Sequence, residues 1–148
     1  MLLKKQLYER LVKLLTLREH SRFELLTKLK SKGFDESLIA ECLSEFAESG
    51  LQSDERFAEA YILMRAGRGF GPLRIEHELK ERGVDDDVIQ SKLNNNEIDW
   101  YERARIASQK KFGGNDFANE KLNPEQLRFL QYRGFSFEMI RAVFKGRD

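Results

Sequence analysis

One pattern of apolar, basic and glycine residues recurs three times along this chain, and it limits the possible folds more than any other feature. Each copy has a leucine, a basic residue three positions later, then a glycine and an apolar residue. The copies are Leu29–Phe34, Leu79–Val84 and Leu130–Phe135. Their glycines lie 50 and 51 residues apart, and an isoleucine follows each glycine after six positions. Spacing of this length predicts tandem structural repeats whose faces are buried by stacking on neighbours.

The elements within each copy are predicted to be helices. Apolar residues recur at spacings of three and four, as in Leu7, Leu11 and Leu14, while proline occurs only twice and β-branched runs are absent. Ser21 and Glu24 have the spacing of a capping box at the start of a second helix. The sequence therefore predicts an all-α protein, an elongated array of about nine helices in three tandem three-helix repeats. The repeats are placed at residues 1–50, 51–96 and 97–148.

The glycine of each copy is expected to end the second helix of its repeat. Glycine adopts the positive φ of a helix stop without a Cβ clash. The next helix is then capped by Asp35, Asp85 or Ser136. The single cysteine, Cys42, lies within an apolar helical pattern, which predicts a small buried hydrophobic residue rather than a metal ligand.

Catalytic chemistry is not indicated by the sequence. Neither histidine has a second ligand-type residue at metal-site spacing, and no nucleophile elbow, zinc-binding helix motif or Walker A sequence occurs. The stretch Gly67–Gly71 does not follow a strand, and Pro72 removes an amide donor that a phosphate loop would use. We expect no catalytic residue, no metal and no cofactor. With a net charge of +1 and no apolar run of about 18 residues, the chain is expected to be cytoplasmic, without membrane contact.

A first candidate contact patch surrounds the glycine-rich turn. Its members combine guanidinium groups with one aromatic ring, and they are Arg65, Arg68, Phe70 and Arg74. Such a combination suits phosphate contact with base stacking. It equally suits an acidic protein surface, on which arginine forms bidentate pairs with carboxylates. Phe70 could instead fill the interface between repeats.

A second candidate patch lies in the last repeat, where residues 97–148 hold 10 basic and 8 acidic side chains. Its contact candidates are Lys110, Lys111, Arg128, Arg133 and Arg141. Further cations and the aromatic residues that could lie between them are Lys145, Arg147, Phe112, Phe117 and Tyr132. An ordinary solvated face is the competing interpretation of this charge.

The middle repeat contains a set of short motifs, which are Asp54–Ala58, Arg65, Gly69–Ile75, Glu78–Leu79 and Arg82–Val84. With these motifs the middle repeat resembles the RecX family of recombination regulators. The resemblance is densest over residues 54–93, and the threefold helical repeat and the chain length are also similar to that family.

The resemblance implies a protein that binds the RecA recombinase along the groove of its filament on single-stranded DNA. Such a protein dampens the ATPase, strand exchange and co-protease activities of RecA in recombination and repair, by binding and without chemistry of its own. The expected partners are the RecA filament and the single-stranded DNA within it, and we expect a monomer. The alternative is a stand-alone single-stranded DNA-binding protein that acts by occupying the strand.

Overall fold

A computed structural model of the chain describes residues 2–95, 97–113 and 124–145. These residues form nine α-helices and contain no strand, which confirms the predicted all-α fold. The helices are α1 (Leu2–Leu17), α2 (Arg22–Ser31), α3 (Glu36–Glu48), α4 (Asp54–Gly67), α5 (Pro72–Glu81), α6 (Asp86–Asn95), α7 (Trp100–Phe112), α8 (Pro124–Arg133) and α9 (Phe137–Lys145). Two residues named with the second patch, Phe117 and Arg147, lie outside the described residues.

The repeated pattern has the same structural role in each copy. Its leucine and its isoleucine are fully buried in all three copies. Its glycine adopts a positive φ of 91°, 77° and 101° in Gly33, Gly83 and Gly134. The amide of the following apolar residue donates to the carbonyl of the leucine five positions earlier, at 3.3, 3.1 and 3.1 Å. This is the hydrogen bond of a Schellman helix stop, so the pattern encodes a helix end together with its packing.

The chain divides into two compact units, the first made of residues 1–60 and 79–92. In this unit α3 packs against α1 and α2 around a core of Leu7, Leu11, Leu25, Leu29, Ile39, Cys42, Leu43 and Phe46. The side chain of Cys42 is fully buried, as expected, and burial raises the pKa of its thiol. The helix ends follow local rules: Ser21 and Glu24 form the predicted capping box, and Asp35 caps α3.

The second unit consists of residues 61–78 and 93–148. Its core, between α7, α8 and α9, includes Ala104, Ala107, Leu130, Phe135, Ile140, Val143 and Phe144. Ser136 accepts a hydrogen bond from the amide of Met139, which is the predicted cap of α9. On α4, Met64 is 41% exposed, whereas Phe57 and Tyr61 on the same helix are buried.

Second helices of successive repeats meet end to end within each unit. In the first unit, the Ser21 hydroxyl at the start of α2 donates to the carbonyl of Arg82 at 2.8 Å. A Cβ on Gly83 would lie 2.4 Å from the Cβ of Phe23, so only glycine permits this approach. The end of α5 thus abuts the start of α2.

The corresponding junction in the second unit joins the end of α8 to the start of α5. The amides of Gly71 and Leu73 donate to the carbonyls of Arg133 and Gly134, at 2.7 and 3.0 Å. A Cβ on Gly71 would lie 2.6 Å from the carbonyl carbon and oxygen of Gly134. The amides at the start of α5, which have no acceptor within their own helix, therefore donate to the end of α8. This junction places Arg133 beside the glycine-rich turn.

A cationic groove as the candidate functional site

A groove of about 290 Å³ lies in the second unit, between the turn that joins α4 to α5, helix α7 and helix α8. We call it the cationic groove, because five of the described residues that line it are basic and no acidic residue is among the described lining residues. The basic residues are Arg68, Arg103, Lys110, Lys111 and Arg133. The other lining residues are Ala66, Gly67, Gly69, Ile106, Ala107 and Phe129. A site lined in this way suits a polyanion.

Helix α7 provides three of the five cations. Its start is fixed by Asp99, whose side chain accepts a hydrogen bond from the amide of Glu102. Arg103 and Lys110 are seven residues apart, so they share one face of the helix, two turns from each other. Lys110 and Lys111 are exposed, and the Lys111 Nζ lies 6.0 Å from the centre of the Phe129 ring. These side chains are therefore accessible to a ligand.

The glycine-rich turn that forms another wall is a further Schellman stop. The amide of Phe70 donates to the carbonyl of Arg65 at 3.1 Å, and Gly69 has a φ of +91°. The Arg133 Nη1 donates to the carbonyl of Arg68 at 3.1 Å, so α8 holds the turn in place. The Arg68 residue itself is exposed at the tip of the turn.

Guanidinium groups and aromatic rings alternate beside the groove. The central carbon of the Arg133 guanidinium lies 5.1 Å from the centre of the Phe129 ring and 4.7 Å from that of Phe70. The central carbon of the Arg74 guanidinium lies 4.6 Å from the centre of the Phe70 ring and 5.0 Å from the centre of the Tyr132 ring. We call Phe129, Arg133, Phe70, Arg74 and Tyr132 the stacked row. Contacts between cations and ring faces stabilise this arrangement.

An ion-pair network lies beneath the stacked row. Both oxygens of Glu78 accept hydrogen bonds from Arg65 at 2.9 Å, and the hydroxyl of Tyr61 donates to the same carboxylate at 2.9 Å. The Arg74 Nε donates a further hydrogen bond to the Glu78 carboxylate at 3.2 Å. Burial alone would raise the pKa of Glu78, but hydrogen bonds from Arg65, Tyr61 and Arg74 outweigh it and hold that pKa below its usual range. Glu78 is therefore ionised at neutral pH.

The members of the first predicted patch are divided between the cationic groove and the ion-pair network of Glu78. Arg68 lines the groove and is exposed. The Arg65 side chain is only 16% exposed, because it is paired with Glu78 and covers the Phe70 ring at 3.8 Å. Phe70 is half-buried, with guanidinium groups from Arg65, Arg74 and Arg133 around its ring. Both Arg65 and Arg74 therefore have structural partners, and their contact with an external ligand stays a prediction.

The second predicted patch is also divided. Lys110, Lys111 and Arg133 line the groove, whereas Arg128 is exposed on α8 without lining it. Arg141 is exposed on α9, where its guanidinium lies 5.7 Å from the centre of the Phe137 ring. The structure thus brings one member of the first patch and three of the second into a single groove. The contact roles of all of them stay predictions.

Two of the charged or aromatic lining residues, Arg103 and Phe129, were not among the predicted site residues. Each has a signal in the sequence, because Arg103 precedes Lys110 by seven positions and Phe129 precedes Arg133 by four. Both spacings place the paired residues on one helix face. That α7 and α8 direct those faces toward the turn after α4 follows from tertiary packing.

The described part of the chain contains no group of three or more His, Cys, Asp or Glu side chains that could hold a metal ion. Among the same residues, no helix is both long and apolar enough to cross a membrane.

The fold places the chain in the class of tandem helical-repeat proteins. Family models for the RecX first, second and third three-helix domains match residues 8–46, 53–93 and 97–144. The chain belongs to the RecX family.

Curated relatives support this assignment over most of the chain. The regulatory protein RecX of Pseudomonas entomophila (strain L48) is 43% identical over 135 residues, which cover 91% of this chain and 87% of the relative. That of Legionella pneumophila (strain Corby) is 44% identical over 139 residues, covering 93% and 92% of the two chains.

Solved structures share the fold at lower sequence identity. The crystal structure of RecX from Lactobacillus salivarius has a TM-score of 0.78 at 20% identity, covering 97% of this chain and 95% of that one. A second crystal structure, of a regulatory protein RecX, has a TM-score of 0.79 at 19% identity. The match covers 97% of this chain and 74% of that one. At these identities the likeness concerns the fold alone.

Proposed function

We propose that this chain regulates RecA by binding the RecA filament on single-stranded DNA and dampening its ATPase, strand-exchange and co-protease activities. Membership of a family of regulatory proteins supports the regulatory role. The protein acts by binding and performs no reaction itself. By lying in the filament groove and contacting neighbouring RecA subunits, it hinders the ATP-coupled rearrangement of the filament or the exchange of DNA.

The main structural support for this proposal is the cationic groove. A filament of protein on DNA exposes phosphates and acidic side chains. The five cations that line the described part of the groove, among which there is no acidic residue, complement such a surface. The net charge of the chain is only +1, so attraction to a polyanion has to be local. Several modest contacts on neighbouring repeats act together when they meet neighbouring subunits of one filament.

The experiment is a titration of the ATPase rate of RecA on single-stranded DNA with this protein. The natural chain is compared with a groove variant, Lys110→Ala with Lys111→Ala. The matched control is Lys5→Ala with Lys13→Ala, which removes the same charge from exposed positions of α1 outside the groove. At about 0.5 kcal/mol for each exposed ionic contact, losing two should raise the half-inhibiting concentration about fivefold. The control should change it less than about twofold.

A RecA ATPase that the natural chain leaves unchanged, with no binding to the filament, would contradict the proposal. Inhibition that follows occupancy of bare DNA, with the same DNA affinity in the absence of RecA, would favour the stand-alone strand-binding protein instead. Equal losses in the groove variant and its control would leave the regulatory role standing but remove the groove from it.

A further inference from the structure

The second helices of the three repeats meet at two junctions, and these junctions join neither the end of α2 nor the start of α8 to another second helix. We propose that the end of α2 in one copy of this chain docks on the start of α8 in a second copy, so that copies associate end to end. This inference goes beyond the proposed function, because it concerns contacts between copies of the chain and none with RecA or DNA.

Both junctions within the chain are built in the same way. The carbonyls of Arg82 and Arg133, each at the stop of a second helix, accept hydrogen bonds from the start of another second helix at 2.8 and 2.7 Å. A Cβ on Gly83 or Gly134 would overlap a side chain of that entering helix. The helix stop of this pattern is therefore a docking site for the first turn of a helix.

The stop at the end of α2 has the same conformation and no helix docked on it. Gly33 has the positive φ of the pattern, yet a Cβ on it would have no heavy atom within 4 Å. The carbonyl of Lys32 accepts no hydrogen bond from any residue that the structure describes. Phe34 is only half-buried, whereas the equivalent Val84 and Phe135 are 5% and 1% exposed. The end of α2 is thus an open docking site.

The start of α8 corresponds to the two helix starts that enter the junctions. Helix α8 holds the same place in its repeat as α2 and α5 hold in theirs. Its first residue is Pro124, just as the first residue of α5 is Pro72, and proline fits this position because its missing amide has no acceptor within the helix. Pro124 and Glu125 are both exposed. The first turn of α8 is therefore accessible to a second copy.

Charge makes the two ends complementary. In the first unit, the basic residue of the stop pairs with an acid in the first turn of the entering helix, since the Arg82 Nε lies 3.9 Å from the Glu24 Oε2. The equivalent residues at the open ends are Lys32 on α2 and Glu125 on α8. Both are exposed, and neither forms an ion pair with a residue that the structure describes. An ion pair between Lys32 and Glu125 of two copies would complete the pattern.

The same charges exclude a symmetric dimer at either end. Two α2 ends would bring Lys32 against Lys32, and two α8 starts would bring Glu125 against Glu125. The contact is therefore heterologous, and a heterologous contact that does not close produces an open row of copies. Such a row suits a partner that is itself a filament, because copies bound side by side on a polymer are held at high local concentration.

The composition of the α8 start makes this association weak in dilute solution. Its second residue is Glu125, whereas α2 and α5 have Phe23 and Leu73 at that position. An exposed ion pair replaces an apolar contact there, and exposed ion pairs contribute little and are screened by salt. We therefore expect self-association only at high protein concentration and low ionic strength, or on a filament.

The first part of the test is cross-linking between two single-cysteine variants of the full chain. Ser31→Cys and Arg128→Cys place a thiol at exposed positions near the end of α2 and the start of α8, while the natural Cys42 is fully buried. When the two variants are mixed and treated with a short bismaleimide, products that join unlike chains should exceed those that join like chains. The matched pair Lys5→Cys and Glu138→Cys, at exposed positions on α1 and α9, should show no such excess.

The second part reverses the charges and follows self-association by sedimentation velocity at several protein concentrations. Lys32→Glu and Glu125→Lys should each weaken the association about fivefold, because an exposed attraction becomes a repulsion of similar size. A one-to-one mixture of these two variants should associate as well as the natural chain, since opposite charges meet again at every junction. Lys5→Glu should have no effect, and circular dichroism checks that each variant keeps its helices.

The outcomes separate this inference from the proposed function, since neither assay contains RecA or DNA. An excess of unlike cross-links, together with recovery in the mixture of charge variants, supports end-to-end association even if RecA proves insensitive to the protein. A natural chain that stays monomeric at every concentration in low salt would overturn it. Cross-links between like chains as frequent as those between unlike chains, or a mixture no better than its components, would overturn it as well and leave the regulatory proposal untouched.

Discussion

Replacing Gly71 with alanine should destabilise the second unit by separating α8 from α5. Position 71 does not require glycine for a positive φ. It requires glycine because the backbone at the end of α8 approaches it closely. An added Cβ would lie 2.6 Å from the carbonyl carbon and oxygen of Gly134 and 2.7 Å from the amide of Phe135. All three atoms belong to the backbone, so no flexible side chain can move aside. The end of α8 has to shift by several tenths of an ångström or more.

The cost follows from the two hydrogen bonds that this shift strains. The amides of Gly71 and Leu73 donate to the carbonyls of Arg133 and Gly134, and Gly71 is buried. Each such bond contributes about 1 kcal/mol net, and a buried amide left without an acceptor costs about 1–3 kcal/mol. We therefore expect the free energy of unfolding to fall by about 2–4 kcal/mol. For a chain of this size that lowers Tm by roughly 5–15 °C.

The assay is thermal and urea unfolding followed by circular dichroism, with Gly67→Ala as the matched control. Gly67 lies at the end of α4, and an added Cβ there would have no heavy atom within 4 Å. Alanine is also a better helix former than glycine, so the control should be neutral or stabilised by up to about 1 kcal/mol. A Gly71→Ala variant as stable as the natural chain would refute the argument that close approach of the two helix ends requires glycine.

Two further perturbations test the other junction and the ion-pair network. Ser21→Ala should lower the free energy of unfolding by about 1–2 kcal/mol, measured by urea unfolding, because it removes a helix cap and the donor to the Arg82 carbonyl; Ser21→Thr should recover most of that loss. The folded-state pKa of Glu78 lies below its ordinary value of 4.5. The stability that ionised Glu78 contributes to the fold is therefore complete above that ordinary value, and it is lost as the pH falls through the folded-state pKa. Glu78→Gln should therefore be less stable than the natural chain at pH 7 and lose less stability between pH 5 and pH 3, and parallel pH profiles for the two would contradict this assignment.

The fold was predictable because its determinants are local and repeated. A helix stop of leucine, basic residue, glycine and apolar residue specifies its own hydrogen bonds, so three copies in the sequence became three equivalent helix ends with buried Leu29, Leu79 and Leu130. Caps such as Ser21 were predictable for the same reason. The exposure of Met64 was not predictable, since the spacing that places it beside Tyr61 does not determine whether a neighbouring helix covers its side chain.

The candidate site was predictable only in part, because it depends on pairing between distant segments. Arg65 and Arg68 are close in sequence and were grouped together, yet Arg65 pairs with Glu78 whereas Arg68 lines the groove. Arg133 and Phe70 are 63 residues apart and lie in contact. Charge and spacing identified the relevant residue types, and the three-dimensional packing decides which of them remain available to a ligand.

The same glycine junction that stabilises the second unit also builds the groove. The carbonyl of Arg133 accepts the bond from Gly71, while the guanidinium of Arg133 lines the groove and holds the turn through the carbonyl of Arg68. A displaced α8 would therefore open the wall that the groove shares with the turn, without removing any charge. Gly71→Ala should then weaken polyanion binding together with stability, whereas Lys110→Ala with Lys111→Ala should weaken binding at unchanged stability. Measured side by side, the two variants separate the geometry of the groove from its charge.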